Sequence, residues 1–172
     1  VKVCNGEIVD RFSTFVNPEI PIPFRIETLT HINDQMVMNA PKIEEILPKF
    51  LEFCEGAVMV AHNAEFDTSF IINKAEKIGI NVDITIIDTV LLAQFLMPNL
   101  HNYKLDTLTK HLNVVLESHH RAVDDAAATA DIFVKMIKML YDRDIPDVDK
   151  LNEEGKMDEN AIKKLHQYHC II

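Results

Sequence analysis

Two short segments contain the residue types from which a hydrolytic site can be built. Residues 62–67 read H-N-A-E-F-D, and residues 119–125 read H-H-R-A-V-D-D. In each segment a carboxylate at the start of a predicted helix follows a histidine by five residues. Paired carboxylates and a nearby imidazole are the groups needed for metal-assisted hydrolysis of a phosphodiester. The two segments therefore predict a phosphodiesterase site, with Asp67 as the acidic residue of the first.

The second segment leaves two pairings open, His119 with Asp124 and His120 with Asp125. The spacing is the same in both and does not choose between them. Helical periodicity favours Asp125, because this residue lies four positions before Thr129, which the apolar pattern places toward the core. Aspartates are also common at helix starts for structural reasons alone. The tandem histidines are less common there, and the imidazole pKa near neutrality suits proton transfer from water.

The neighbouring side chains have both structural and functional interpretations. Asn63 can cap the helix that follows it or offer an amide to a phosphate. Phe66 and Phe70, at helical spacing, are more typical of a core than of a platform for stacked bases. Asp88 follows a predicted strand and is expected to cap the next helix. We therefore expect Asp67, rather than these neighbours, to be the acidic residue of the site.

The rest of the chain predicts the elements that must position these groups. The turn pair Asn5-Gly6 predicts a β-hairpin over residues 1–16. Buried strands are predicted at 57–61 and 84–87, and helices at 41–54 (beginning at Pro41), 65–78, 89–96, 105–112 and 123–141, after two helical turns within 24–40. This alternation predicts an α/β architecture. We expect one domain over residues 1–144, followed by a charged linker with one helix over residues 145–172.

Composition narrows the class of protein further. The net charge of −10 argues against a broad basic face for nucleic acid, although a carboxylate site that binds cations is compatible with it. The three cysteines are far apart and form no C-x-x-C pair, which favours free thiols in a reducing, cytoplasmic environment. No apolar run has the ~18 residues of a membrane span, so no membrane association is expected.

Taken together, the two segments resemble the second and third motifs of the DnaQ-like, DEDDh class of 3′–5′ exonucleases. The third motif of that class reads His-x-Ala-x-x-Asp, and only His120 with Asp125 matches it. Further stretches are similar, in order, to the exonuclease domain of PolC-type bacterial DNA polymerase III α subunits: F-V-N-P, L-T-H-I-N-D-Q-M-V, I-D-T-V-L-L-A-Q and K-L-D-T-L-T-K-H-L-N-V. The resemblance covers residues 1–141 and implies an RNase H-like mixed sheet flanked by helices.

The resemblance also implies roles for individual residues. Asp67 and Asp125 would be carboxylate ligands of two Mg²⁺ or Mn²⁺ ions, and His120 would be the general base. The implied substrate is the 3′ end of DNA, edited within a larger polymerase chain and its replisome. The implied substrate-binding residues are Thr30, His31, Ile32, His62, Asn63 and Phe66. His31 stands where the wider family usually has glycine in T-G-I.

One family motif does not occur in these 172 residues. The family's D-x-E pair belongs to the central strand, which would precede Val1. The segment F-R-I-E-T-L resembles that strand, but it has Arg25 at the position of the metal-binding Asp, so we reject Glu27 as a ligand. We therefore expect the fold to lack its first central strand and the isolated chain to be weak or inactive. Alternative hypotheses are a free-standing DEDDh nuclease acting on RNA or DNA, and a non-catalytic nucleic-acid-binding or scaffold domain.

Overall fold

The computed structural model describes residues 1–82, 84–115 and 121–143, together with the backbone of residues 170–171. Both histidines of the second segment, His119 and His120, lie outside the described residues. So do nearly all of the predicted linker and the helix expected within it, and the predicted boundary at residue 144 stays a prediction. None of the helices in the described part of the chain combines the length and apolar character needed to cross a bilayer.

The chain begins with the predicted hairpin, which is shorter than the sequence pattern suggested. Strand β1 (Lys2–Cys4) pairs antiparallel with β2 (Glu7–Asp10). Both turn residues have positive φ, 52° at Asn5 and 82° at Gly6, as a two-residue hairpin turn requires. Strand β5 (Cys170–Ile171) pairs antiparallel with the other edge of β1, which gives the strand order β2-β1-β5.

Three helices follow the hairpin. These are α1 (Phe24–Thr30), α2 (Asp34–Val37) and α3 (Ile43–Cys54). The break between α1 and α2 falls where Asn33 caps α2 by accepting a hydrogen bond from the Met36 backbone. Helix α3 begins at Ile43, so the prediction of a start at Pro41 is wrong: the carbonyl of Pro41 instead accepts a hydrogen bond from Asn17 N at 2.9 Å.

Two parallel strands form the second sheet. Strand β3 (Met59–Ala61) pairs with β4 (Ile86–Asp88), with Val60 opposite Ile87. Helix α4 (Ala64–Lys77) lies between them in the chain, as a crossover between parallel strands requires. The carboxyl end of β3 therefore leads directly into the helix that carries Asp67.

The core lies among the last three helices and the β3–β4 sheet. Helix α7 (Ala122–Asp142) contacts α5 (Thr89–Leu96), α6 (Leu105–Leu112) and β3. The most completely buried large side chains in the described residues include Ile87, Leu92, Leu96, Leu108, Ile132, Phe133 and Met136. The predicted α/β architecture is confirmed, with helices packed around small sheets in an RNase H-like arrangement.

Candidate active site

The two aspartates singled out by the sequence line one cavity. Asp67 is in the first turn of α4, and Asp125 is in the first turn of α7. Although 58 positions separate them in the chain, both contribute to a cavity of about 540 Å³ between β1, β3 and α7. Asp124 is not among the described residues that line this cavity. Asp125 is therefore the carboxylate of its segment that shares this cavity with Asp67.

The cavity walls are mostly apolar. They are formed by Val1, Val3, Phe50, Met59, Val60, Ala61, His62, Ile71, Leu105, Ala122, Ala126, Thr129, Ala130 and Phe133, in addition to the two aspartates. The buried Thr129 hydroxyl donates a hydrogen bond to the Asp125 backbone carbonyl at 2.8 Å, which is a local contact within α7. Among the described residues that line the cavity, Asp67 and Asp125 have the only anionic side chains.

Burial raises the pKa of Asp67 above its ordinary value. The apolar wall on the cavity side disfavours the charged form, because a carboxylate loses hydration there. The other side of Asp67 is open to solvent and exposed. Hydration from that side limits the effect on stability. A cation bound at the cavity would act in the opposite direction and favour the ionised carboxylate.

Asp88 holds the start of α4 in place. Its Oδ1 accepts from Val90 N at 2.8 Å, the predicted cap of α5, and also from Asn63 N at 3.1 Å. Its Oδ2 accepts from Ala64 N at 3.0 Å. One carboxylate therefore satisfies otherwise unpaired N–H groups at the starts of two helices. Since α4 carries Asp67, Asp88 fixes the position from which Asp67 enters the cavity.

His62 is held by two partners. Its Nδ1 lies 2.9 Å from Thr89 Oγ1, and the imidazole also makes a hydrogen bond to the backbone of Tyr103. Burial lowers the pKa of His62, and this outweighs the opposing effects of Asp88 and of the Tyr103 hydrogen bond. The ring is therefore neutral near pH 7. The His62 side chain thus links the end of β3 to the start of α5. The same side chain also lines the cavity.

Three side chains near Asp67 lie at the surface: those of Asn63 and Phe66 in the first segment, and that of Phe70 one turn later. Asn63 has φ 65° and ψ 59°, and its side chain makes no capping hydrogen bond to α4. Phe66 is 73% exposed and Phe70 is 50% exposed. The expectation that these two rings belong to the core is wrong for both. Helix α4 buries Ala64 and Ala75 instead, which turns the two rings outward.

The three residues expected to line the terminal nucleotide lie at the end of α1. His31 has φ 57° and ψ 24°, the left-handed conformation that favours glycine. The Thr30 hydroxyl donates to Ile26 O at 2.8 Å and accepts from Ile32 N at 3.2 Å. Thr30, His31 and Ile32 are not among the described residues that line the cavity of the two aspartates. The structure thus does not bring this loop into the cavity.

The segment that resembled the family's first strand is helical. Residues 24–29 lie in α1, which buries none of its residues. A helix there cannot supply a ligand from the centre of a sheet, which agrees with the rejection of Glu27.

The donor set at the cavity is of the right type for a hard cation but is small. Mg²⁺ and Mn²⁺ prefer oxygen ligands, which Asp67 and Asp125 provide. Within residues 1–82, 84–115 and 121–143 there is no cluster of three or more His, Cys, Asp or Glu side chains able to hold a metal ion. Two carboxylates do not complete the shells of two ions.

Comparison with known proteins gives the family. Residues 1–133 match the RNase_T family model, described as Exonuclease. The whole chain is 53% identical to a DNA polymerase III PolC-type from Caldanaerobacter subterraneus subsp. tengcongensis, and 48% identical to the protein of that name from Clostridium perfringens. The chain spans 12% of the length of each of these relatives.

A solved structure gives the same result for the fold. The chain is similar to exonuclease X in a complex with 5′-overhanging duplex DNA, with a TM-score of 0.64 and 28% identity, over 79% of this chain and 78% of the other. Exonucleases of this kind generally use divalent metal ions. The matched residues include both aspartates of the cavity and the elements that carry them. The chain therefore belongs to the exonuclease family.

Proposed function

We propose that this chain is the proofreading 3′–5′ exonuclease domain of a PolC-type replicative DNA polymerase. The observation that carries the proposal is the shared cavity of Asp67 and Asp125, which come from distant parts of the chain. The reaction would hydrolyse the 3′-terminal phosphodiester of DNA and release a nucleoside 5′-monophosphate. The similarity of the whole chain to PolC-type polymerases supports this choice of substrate and setting.

In this proposal each residue has a defined task. Asp67 and Asp125 offer carboxylate oxygens to two Mg²⁺ or Mn²⁺ ions, which would neutralise charge on the phosphate. His120 accepts the proton of the attacking water, a role for which an imidazole is suited. The ring of His62 is held by Thr89 and Tyr103, so His62 supports the site through its position rather than as a base.

The remaining ligands would come from the family's D-x-E strand. The cavity between β1 and β3 has apolar walls suited to a buried strand, and both aspartates lie on it. A strand placed beside β1 would take the edge with which β5 pairs, because β2 occupies the other edge. Its two carboxylates would face Asp67 and Asp125 and enlarge the ligand set.

The proposed partners follow from the same assignment. The substrate is a DNA 3′ end, single-stranded or frayed, and the remainder of a polymerase chain and its replisome deliver it. Such a protein acts in the cytoplasm. A net charge of −10 means that the domain by itself binds DNA weakly, so delivery by the polymerase raises the local concentration of the 3′ end.

The test uses the full-length gene product and a 5′-labelled single-stranded oligonucleotide in Mg²⁺ buffer. We expect a ladder of products shortened from the 3′ end. Asp125→Asn and Asp67→Asn should abolish it, and His120→Ala should slow it by roughly 10²–10⁴-fold. Asp124→Asn is the matched control, since this neighbour does not line the cavity, and it should retain activity.

Three outcomes would contradict the proposal. Normal turnover by Asp125→Asn would remove the site assignment. A strong preference for RNA over DNA would favour a free-standing nuclease instead. Binding of oligonucleotide without any hydrolysis in Mg²⁺ or Mn²⁺ would favour a non-catalytic domain.

A further inference from the structure

Two aromatic side chains and one lysine form a row along the outer side of α4. Phe66 and Phe70 are exposed, and Lys74 Nζ lies 5.5 Å from the centre of the Phe70 ring. Large aromatic rings at the surface of a helix leave apolar area in water that packing would normally remove. A row of two rings and one cation is therefore a candidate binding surface.

The spacing of the row gives it a direction. Phe66, Phe70 and Lys74 are separated by four residues each and so lie along one side of the helix. Four residues of helix advance by about 6 Å. Asp67 lies in the same first turn as Phe66, so the row starts beside the proposed reaction site and leads away from it.

We propose that Phe70 and Lys74 form a subsite for the nucleotide that precedes the 3′-terminal one. The base stacks on the Phe70 ring, and the Lys74 ammonium contacts a phosphate on the 5′ side. This inference rests on the proposed function, because it takes Asp67 as the position of the terminal phosphodiester. It adds the requirement for a second nucleotide and assigns the residues that bind it.

The dimensions favour a single strand as the occupant. Consecutive nucleotides of a B-DNA strand rise by about 3.4 Å, whereas neighbouring rings in this row are about 6 Å apart along the helix. Bases that occupy adjacent rings must therefore be unstacked from one another. A flexible single strand can adopt this spacing, whereas the regular stack of a paired duplex has the shorter one.

The chemistry of the row also favours nucleic acid over an apolar protein partner. Aromatic rings stack on any base, and an adjacent cation matches the phosphate that follows each base. An apolar protein segment would have no anion to pair with Lys74. The row thus combines two of the groups that bind single strands, next to a carboxylate that would act on them.

The experiment compares a long and a minimal substrate in the full-length gene product. The long substrate is a single-stranded oligonucleotide, and the minimal one is the p-nitrophenyl ester of thymidine 5′-monophosphate, which has no second nucleotide. Phe70→Ala should lower kcat/KM for the oligonucleotide by about 5- to 150-fold, mainly through KM. It should leave hydrolysis of the ester unchanged.

Further variants separate stacking from other effects. Phe70→Trp keeps a ring and should retain the oligonucleotide KM, whereas Phe70→Leu keeps apolar volume and should lose it. Lys74→Gln should make the salt dependence of oligonucleotide KM shallower, by roughly 0.7 in log–log slope for one lost phosphate contact. Tyr141→Ala and Lys138→Gln, an exposed ring and an exposed lysine on α7, are the matched controls and should behave like wild type.

Two results would overturn the subsite. One is an oligonucleotide KM for Phe70→Ala equal to wild type, and the other is a Phe70→Leu variant indistinguishable from wild type. The proposed function fails separately, if Asp125→Asn keeps normal activity on both substrates. Loss of both activities in Asp125→Asn with a normal Phe70→Ala would leave the exonuclease assignment in place and remove only the subsite.

Discussion

Asp88 offers the most direct test of how the fold positions Asp67. Its carboxylate accepts three backbone hydrogen bonds, from Val90 at the start of α5 and from Asn63 and Ala64 at the start of α4. Asp88→Ala removes all three. Asp88→Asn keeps Oδ1 and can retain the bonds from Asn63 and Val90, but its amide nitrogen cannot accept from Ala64.

The expected effects follow from this count of bonds. Loss of a helix cap typically destabilises a protein by about 1 kcal/mol. Each further hydrogen bond contributes about 0.5–1.5 kcal/mol net. Asp88→Ala should therefore reduce the free energy of unfolding by about 2–4 kcal/mol, and Asp88→Asn by about 1 kcal/mol. The first value is a large part of the ~5–15 kcal/mol that stabilises a typical domain.

The assay is urea unfolding of the 172-residue chain, combined with amide hydrogen exchange. In Asp88→Ala the amides of Asn63, Ala64 and Val90 should exchange faster than in wild type. In Asp88→Asn the Ala64 amide should be affected most. Asp131→Ala, an exposed aspartate within α7, is the control and should change stability by less than about 0.5 kcal/mol.

Equal destabilisation by the Ala and Asn variants would refute this reasoning, because it would mean that the charge or a different contact matters instead of the three bonds. Unchanged exchange at Asn63 and Ala64 in Asp88→Ala would refute the claim that Asp88 holds the start of α4.

Three other substitutions test the physical account of the site and core. The raised pKa of Asp67 means that the folded chain binds its proton more tightly than the unfolded chain, so stability should fall as pH rises from the ordinary carboxyl value through the raised one. Asp67→Asn should remove this fall. In EDTA at pH 7 the substitution should change the free energy of unfolding by no more than about 0.5 kcal/mol, toward stabilisation, since the site is partly hydrated. Thermal melts of the variant from pH 3.5 to 7 should show no clear loss of stability relative to wild type. The lowered pKa of His62 has the opposite sign, because the unfolded chain takes up a proton that the folded chain resists. Stability should therefore drop as pH falls below the ordinary histidine value of about 6.5, and His62→Gln should flatten that drop in melts between pH 7 and 5. Phe133 is 1% exposed in the core, so Phe133→Ala should destabilise the chain by about 3–5 kcal/mol in urea unfolding, and a loss under 1 kcal/mol would contradict its placement.

Much of the fold could be predicted from local signals. The Asn5-Gly6 turn and the short apolar runs before α4 and α5 each mark an element boundary that the structure confirms within a few residues. Local signals were weaker where a distant contact decides the outcome. Helix α3 begins two residues after Pro41 because the carbonyl of Pro41 pairs with Asn17, a contact that sequence periodicity does not contain.

The candidate site was partly accessible in the same way. Periodicity favoured Asp125 over Asp124, and the cavity lining agrees, although both side chains are half-buried. The role of Asp88 at α4 was missed, because its partners are 24 and 25 residues earlier in the chain. One signal could have indicated this role of Asp88. The residue directly follows a buried strand, and two parallel strands end side by side at that edge of the sheet.

Residue types at short spacing were enough to predict the two motif segments, the order of the elements and the resemblance to DEDDh exonucleases. The tertiary structure decided which carboxylates meet. It placed Asp67 and Asp125 in the wall of one cavity and gave the His62 imidazole a hydrogen-bond partner in Thr89. It also turned Phe66 and Phe70 toward solvent. Helical spacing shows only that residues share a side of α4. Which side is buried depends on where β3 and α3 pack, and that is set by contacts across the whole fold.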